Sequence, residues 1–414
     1  MSVCPLAQAC FSTAVRPAGS SAISLSREGF SCRLFSSIEH AAVLWQSVAP
    51  VDNSFLGISY LRTAEQFPPR GANPFYLVFL KNDQPIGLAY FQLIDFRADQ
   101  SLQDARPQGF FPGLAFDLKQ KALGLLRLRL LHLGNVLLTG PRGFFFLPEI
   151  GEKEANALLS DALPRVARHL EKDYGYAINS YLVKDLPASQ QDAHGVWEEK
   201  GYQELCFFPN MVFHLSPEWR QFDDYLNSLQ SKYRVRARRA FRLLDGVRTR
   251  ELSLEEIRHR EGELYGLYQQ IAASVEFNMA TLDRGYFSGL KEEMGDAFHL
   301  VGYFLEGRLL GFYSTIENGE ELEAHFMGFD QQFNRVYQLY LNMLFDMIRM
   351  GIDMGVRYIS FARTAMEIKS SVGAVAEDLT CYIRHRSPVV HPLIRPLVKW
   401  LQPSLEWEPR HPFK

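Results

Sequence analysis

The chain has 414 residues, 47% of them hydrophobic and 22% charged, with a formal net charge of −3. That is enough apolar material for the cores of two or three domains, and the near-neutral balance gives no global electrostatic case for DNA or an anionic membrane. Five scattered cysteines (Cys4, Cys10, Cys32, Cys206, Cys381) make no C-x-x-C pair and no zinc-ligand spacing, so they read as reduced thiols of a cytoplasmic-type compartment, with neither a disulfide framework nor a metal expected.

Residues 1–31 form an N-terminal extension. Its first 27 positions carry no acid, are rich in Ser and Ala, and include Arg16 and Arg27. The composition suits a transit peptide, an unstructured extension or an overlong start, and it lacks the apolar core of a secretory signal. A first domain follows over 32–215. It opens with a hairpin at 75–94, where Asn82-Asp83 separate two apolar runs. Residues 122–140 come nearest to a membrane span, but Arg127, Arg129 and His132 interrupt them. They read as a core helix running into the strand "NVLLTG" (135–140), or alternatively as an amphipathic segment touching lipid. A helix over 154–173 stopped by Gly175, a strand (176–183), a helix (188–202) and a strand (204–215) complete the domain.

The stretch 216–226 joins it to a second domain, 216–386. "SKYRVRARRAFRL" puts six cations into positions 232–242, Lys232, Arg234, Arg236, Arg238, Arg239 and Arg242. Spread around a helix, they favour a phosphate-bearing partner (a donor nucleotide, an RNA backbone or lipid headgroups), or else a solvated helix paired with acids from elsewhere. A second hairpin, 298–317, turns at Glu306-Gly307. Strand 322–329, a helix over 337–354 stopped by Gly355, strand 356–362, the helical "TAMEIKSSVG" and the strand "LTCYIRH" (379–385) follow. The tail, 387–414, holds Pro388, Pro392, Pro396, Pro403, Pro409 and Pro412 and is expected to be extended and draped over the body.

The order hairpin, strand, helix, strand, helix, strand therefore occurs twice, with Gly87 and Gly311 marking a separation of about 224 residues. This argues for duplication. The expected class is α/β (α+β): two tandem domains with mixed, mainly antiparallel sheets flanked by helices.

That order, with "SKYRVRARRAF" (231–241), "HFMGFD" (325–330) and "ARTAMEIKSSVGA" (362–374), resembles the GNAT acyltransferase superfamily. More specifically it is similar to tandem GNAT proteins related to the Fem-type peptidoglycan aminoacyltransferases. The resemblance spans residues 33–386 and implies acyl transfer to an amine. It places the donor's thioester carbonyl in a gap between two splayed strands. The donor pyrophosphate falls at the start of the next helix, here "QQFNRVYQLY" (331–340). The superfamily loop is glycine-rich, whereas this segment has no glycine, so Asn334, Arg335, Tyr337 and Gln338 are the candidate phosphate contacts, with Arg238 and Arg239. The departure also suits aminoacyl-tRNA, the donor of Fem-type enzymes.

On strand 322–329, alternation places Glu323, His325 and Met327 on one face, and Leu322, Ala324 and Phe326 on the other. An ammonium must lose a proton before it attacks, so Glu323 and His325 are candidate bases. Tyr340 stands near where many GNAT enzymes keep a tyrosine that protonates the leaving thiolate. Asp330 caps the next helix or binds the acceptor amine. Thr364 and Glu367 have capping-box spacing. Arg363 and Lys369 are placed to meet an anionic substrate group. Glu276 and Asn278 lie where GNAT acceptor sites are lined.

The leading expectation is an N-acyltransferase taking an acyl group from acyl-CoA or an acyl-carrier protein to an amine. The apolar segments 122–138 and 393–402 suit a long-chain amine, a ceramide-type amide as product, and peripheral contact with the inner face of the membrane. A Fem-like aminoacyl-tRNA-dependent transferase is the alternative, although no long helical hairpin for tRNA is evident. A non-catalytic degenerate GNAT protein is the third reading. The first domain's strand exit (180–189) lacks the polar cluster of the second, which predicts a structural or acceptor-shaping role. No G-x-S-x-G, Walker or HExxH motif occurs.

Overall fold

The structure, a computed structural model, describes residues 19–97, 127–274, 280–401 and 407–414. The first eight strands are β1 (Ser20–Ser24), β2 (Phe30–Phe35), β3 (Ala72–Lys81), β4 (Gln84–Arg97), β5 (Arg127–Leu133), β6 (Phe144–Phe146), β7 (Ser180–Pro187) and β8 (Gln203–Cys206). The next seven are β9 (Asn210–His214), β10 (Arg248–Glu251), β11 (Phe298–Leu305), β12 (Arg308–Asn318), β13 (Glu321–Phe329), β14 (Tyr358–Ser360) and β15 (Val375–Glu377), and β16 (Leu379–His385) is last. One sheet runs β1-β2-β3-β4-β5-β7-β16-β8 with β6 on β4, and the other runs β10-β11-β12-β13-β14-β9-β15. Both are mixed, and helices flank them, as expected.

The two expected hairpins are there, and they match in detail. Asn82 and Asp83 both have positive φ (49° and 64°), as do Glu306 and Gly307 (49° and 84°). This is the two-residue turn whose twist suits an antiparallel pair. Each hairpin also carries a register shift at the same place, Phe79/Leu80 and Tyr303/Phe304. Helices Glu152–Tyr174 and Leu339–Met354 both stop at a left-handed glycine, Gly175 and Gly355.

Each half gives its last strand to the other. The run 204–215, expected as one strand, breaks into β8 and β9, and these lie in different sheets. β9 pairs with β14 of the second half, and β16 sits between β7 and β8 of the first. The division at 215/216 thus follows chain order, while the sheets interlock across it. A shared core adds to this: Tyr60, Tyr76 and Tyr90 of the first half are buried with Leu264, Tyr286 and Phe312 of the second. A large apolar side chain buried this way contributes about 1.5–3 kcal/mol.

Three local expectations are corrected. Residues 127–133 form a buried strand rather than a helix or a lipid-facing segment, because Leu128, Leu130, Leu131 and Leu133 all enter the core. The tract 135–140 is a turn, with Gly134 and Gly140 at positive φ. In the tail, His391–Leu401 is helical despite its prolines, and Pro396 sits inside that helix. Residues 407–414 do lie against the body. Phe413 packs among Phe213, Trp219 and Tyr225, and Gln230 N donates to Pro412 O at 2.8 Å.

Candidate active site

β13 and β14 run parallel for only three residue pairs, Glu321↔Tyr358, Leu322↔Ile359 and Glu323↔Ser360. β14 then ends, while β13 continues to Phe329. The sheet therefore opens immediately beyond Glu323, and the edge of β13 past that point has no strand partner among the described residues.

The chain leaves β14 through a tight loop in which Ala362, Thr364 and Ala365 have φ of 55°, 71° and 47°. Lys369, on the helix Met366–Val372, reaches back and holds it. Its ammonium donates to the carbonyls of Phe361 (2.6 Å), Ala362 (3.1 Å) and Arg363 (2.8 Å). All three donors are thereby used inside the protein rather than aimed at a substrate. Burial pushes the Lys369 pKa down to about 7, against the upward pull of Glu323. The expected capping box is absent. The N-cap is Ala365, with no side-chain cap bond, and Glu367 instead pairs with Arg410 of the tail. The reason is the left-handed backbone at 364 and 365, which starts the helix one residue later than the sequence spacing suggested.

Glu321 and Glu323 project from the same face of β13, each 2% exposed. Between them stands Arg142, from the loop after β5. It is bonded to Glu321, and its guanidinium lies 3.6 Å from Glu323 Oε2. Asn318 Nδ2 also donates to Glu321, at 2.8 Å. Burial raises the Glu323 pKa to about 8, helped by the charge of Glu321 and opposed by Arg142. Its Oε2 has no hydrogen-bond partner. A buried carboxyl that titrates near neutrality is suited to taking a proton.

His325 stands two residues further along. Its Nε2 bonds Tyr286 Oη at 2.8 Å, Tyr286 Oη meets Tyr60 Oη at 3.4 Å, and Asn135 Nδ2 donates to Tyr60 Oη at 3.0 Å. This chain of polar groups runs from the second half into the first. Burial pushes the imidazole down to about 3, so it stays neutral and is the poorer of the two candidate bases. The expected alternation also fails at this point. The β12–β13 register slips between Tyr313 and Thr315, and Ser314 bonds both the N–H and the C=O of Phe326. This bulge turns Phe326 to the side of His325, against Tyr268 and Tyr286, and sends Met327 to the other core.

The remaining predicted residues divide clearly. Asp330 is the N-cap of helix Gln331–Tyr337, accepting from Gln332 N at 2.9 Å. Asn334 Oδ1 accepts from Tyr340 N at 2.9 Å and so occupies part of the N-terminus of helix Leu339–Met354, the expected pyrophosphate position. Gln338, left-handed at φ 49°, separates the two helices. Tyr337 stacks on Phe333, Arg335 is exposed, and Tyr340 is half-buried beside Phe329, where burial raises its pKa. Arg238 and Arg239 are exposed on the helix Ser231–Leu243. Arg363 is bonded to Asp185 of the first half, a carboxylate held down to about 2 because Lys184 and Arg363 outweigh its burial. Glu276 and Asn278 lie outside the described residues.

Glu321, Arg142, Tyr60, Tyr286 and Asp185 were missed by the sequence reading. Glu321 was findable, since it shares the face of Glu323 two residues away. The others come from distant segments that only the fold brings in.

The first half has a comparable place. His132 pairs with Leu182 in parallel and with Gln92 in antiparallel register, as Glu323 does with Ser360 and Ile316. Gln92 and Ile316 each lie five residues past the marker glycines Gly87 and Gly311. His132 is fully buried, its pKa pushed to about 3 by burial and by Lys184, and no carboxylate occupies its position. Among the described residues, no group of His, Cys, Asp or Glu is arranged to hold a metal, and no helix is long and apolar enough to cross a membrane.

No family model and no curated protein matches the sequence. Solved structures do. The crystal structure of FemX superposes with a TM-score of 0.51 at 12% identity, covering 86% of this chain and 98% of that one. The C-terminal domain (DUF2156) of a putative lysylphosphatidylglycerol synthetase from Agrobacterium fabrum gives 0.47 at 9% identity, covering 87% and 95%. A tandem GNAT protein from the clavulanic acid biosynthesis pathway gives 0.45 at 11%, covering 80% and 89%. The chain has the fold of FemX, and the resemblance to Fem-type proteins holds at the level of fold.

Proposed function

We propose that the protein is an N-acyltransferase with one catalytic centre, where β13 parts from β14. The observation that carries this reading is Glu323, a buried carboxyl with a pKa near 8 and one oxygen that accepts no hydrogen bond, at the point where the sheet opens. In the proposed reaction Glu323 removes a proton from the acceptor ammonium. The freed amine attacks the donor carbonyl, forming the amide C–N bond as the C–S bond breaks, the nitrogen gives up its second proton to solvent, from which the proton donor is recharged, and the thiolate leaves with a proton. Tyr340 is the proposed source of that proton. Arg142 and Glu321 set the charge around Glu323, and His325 positions the acceptor as a neutral hydrogen-bonding group. The first half contributes Arg142 and Tyr60 and shapes the acceptor side. Acyl-CoA or an acyl-carrier protein is the proposed donor and a long-chain amine the proposed acceptor.

A second reading keeps the centre and changes the donor to aminoacyl-tRNA, the ester oxygen leaving in place of sulfur. Asn334 favours it, because it engages the helix N-terminus on which a pyrophosphate would rest. A non-catalytic role is the third reading, and turnover dependent on Glu323 excludes it. The test is thermal stabilisation by a donor panel of CoA, acetyl-CoA, palmitoyl-CoA, acyl-carrier thioester and aminoacyl-tRNA, each well above its dissociation constant. Stabilisation by a thioester supports the first reading. Stabilisation by aminoacyl-tRNA alone selects the second.

A further inference from the structure

We propose that the outward face of the helix Ser231–Leu243 docks the protein on an anionic membrane surface, an inference independent of the reaction proposed above. The helix is two-sided. Ala237 and Ala240 are fully buried, Asn342 Nδ2 donates to Ala240 O at 3.1 Å, and Phe241 packs on Phe345 with ring centroids 5.2 Å apart. Opposite that face stands Val235, 58% exposed. Arg238, Arg239 and Arg242 lie three, four and seven residues beyond it, so helical geometry gathers them around Val235, and all three are exposed. Among the described residues none of the three makes an ion pair. Some exposed arginines elsewhere in this half do, as in Arg258–Glu292, Arg308–Asp330 and Arg357–Glu320. Residues 231–244 contain no acid at all.

The neighbouring helix Gln331–Tyr337, packed against this one, extends the surface with exposed Arg335 and with Val336, again 58% exposed. Two of the few strongly exposed apolar side chains among the described residues therefore stand beside cations that make no ion pair there. In a chain of net charge −3 this is a local concentration of positive charge.

The chemistry of the occupant follows from shape and composition. The face is the outside of a helix, so it cannot enclose a small anion as a concave site does. An extended array of phosphates meets all the arginines together. Val235 at the centre distinguishes lipid from nucleic acid: an apolar side chain there gains by entering the boundary between headgroups and acyl chains, while the arginines remain with the phosphates. RNA offers it no such place.

The experiment is sedimentation of the full-length protein with vesicles of phosphatidylcholine, or of phosphatidylcholine and phosphatidylglycerol in equal parts. Binding is expected only to the second kind and is expected to weaken steeply with salt. Each cation near such a surface strengthens binding about fivefold. The R238Q/R239Q/R242Q variant should therefore bind about a hundredfold more weakly, with an unchanged urea midpoint because all three side chains are exposed. V235S, which alters no charge, should bind severalfold more weakly, while R357Q, on a separate surface, should bind as the native protein does. Equal binding to both vesicles would overturn the proposal, as would full binding by the triple variant. Retention on single-stranded RNA unaffected by V235S, without vesicle binding, would overturn it in favour of a nucleic-acid partner.

Discussion

Asp185 and Arg363 are bonded to each other across the two halves, and each lies three residues past a matching point of its sheet. Leu182 is the parallel partner of His132, and Ser360 that of Glu323. The two strand exits are thus tied together. Gly140 N (3.0 Å) and Lys184 also bond Asp185, which is fully buried. Asp185→Ala would leave Arg363 and Lys184 without their counter-charge. A loss of about 3–5 kcal/mol is expected, read as a lower urea midpoint. An unchanged midpoint would mean that the exits are not held by this pair.

Stability should depend on pH through Glu323. Its folded pKa, about 8, lies above the ordinary 4.5, so the folded state holds the proton more tightly than the unfolded chain. That contribution is complete below about 4.5 and is lost as pH rises towards 8. Lys369, depressed from 10.5 to about 7, acts oppositely and at higher pH, adding stability as pH rises through that interval. Below about pH 6.5 the buried neutral imidazoles of His132 and His325 also act oppositely, so the Glu323 effect is read as the difference between the native protein and Glu323→Gln. The melting temperature of the native protein relative to that of Glu323→Gln should fall as pH rises from 5 towards 8, and a difference independent of pH would contradict the raised Glu323 pKa.

Lys369→Met keeps the length of the side chain and removes its three donors. The carbonyls of Phe361, Ala362 and Arg363 would remain buried with no partner in its place. About 2–4 kcal/mol of stability should be lost, with increased hydrogen exchange confined to residues near 361–365. Exchange unchanged in that loop would contradict the role given to Lys369.

Thr364 separates the structure from the sequence reading. As an N-cap, its replacement by glycine would cost only a few tenths of a kcal/mol, and replacement by alanine about 1 kcal/mol. At φ 71° a β-branched side chain is strained and glycine is not. Thr364→Gly is expected to raise the melting temperature above that of Thr364→Ala and of the native protein. A native protein more stable than both would restore the cap.

The repeated hairpins, the helix stops at Gly175 and Gly355 and the two mixed sheets were legible, because each depends on nearby residues: turn pairs with positive φ, apolar runs and C-terminal glycines. The exchange of β9 and β16 was not, since a strand's own pattern does not say which sheet receives it. At the site, Glu323 and His325 were readable as polar residues on a buried strand. The bulge that reorients Phe326 and Met327 was not, because it depends on Ser314 across the hairpin. Lys369 and Arg363 were taken for substrate contacts because their partners, a loop's own carbonyls and an aspartate 178 residues away, leave no trace in local sequence.

The most direct measurement is single-turnover acyl transfer from palmitoyl-CoA to a long-chain amine, followed by the mass of the amide, for the native protein and Glu323→Gln across pH 6–9. Amide formation is expected, with a rate that climbs towards an inflection near pH 8 in the native protein. A loss on the order of 10²–10⁴-fold is expected in Glu323→Gln, with the inflection gone. Glu323→Gln turning over at the native rate, with the same pH profile, would contradict it.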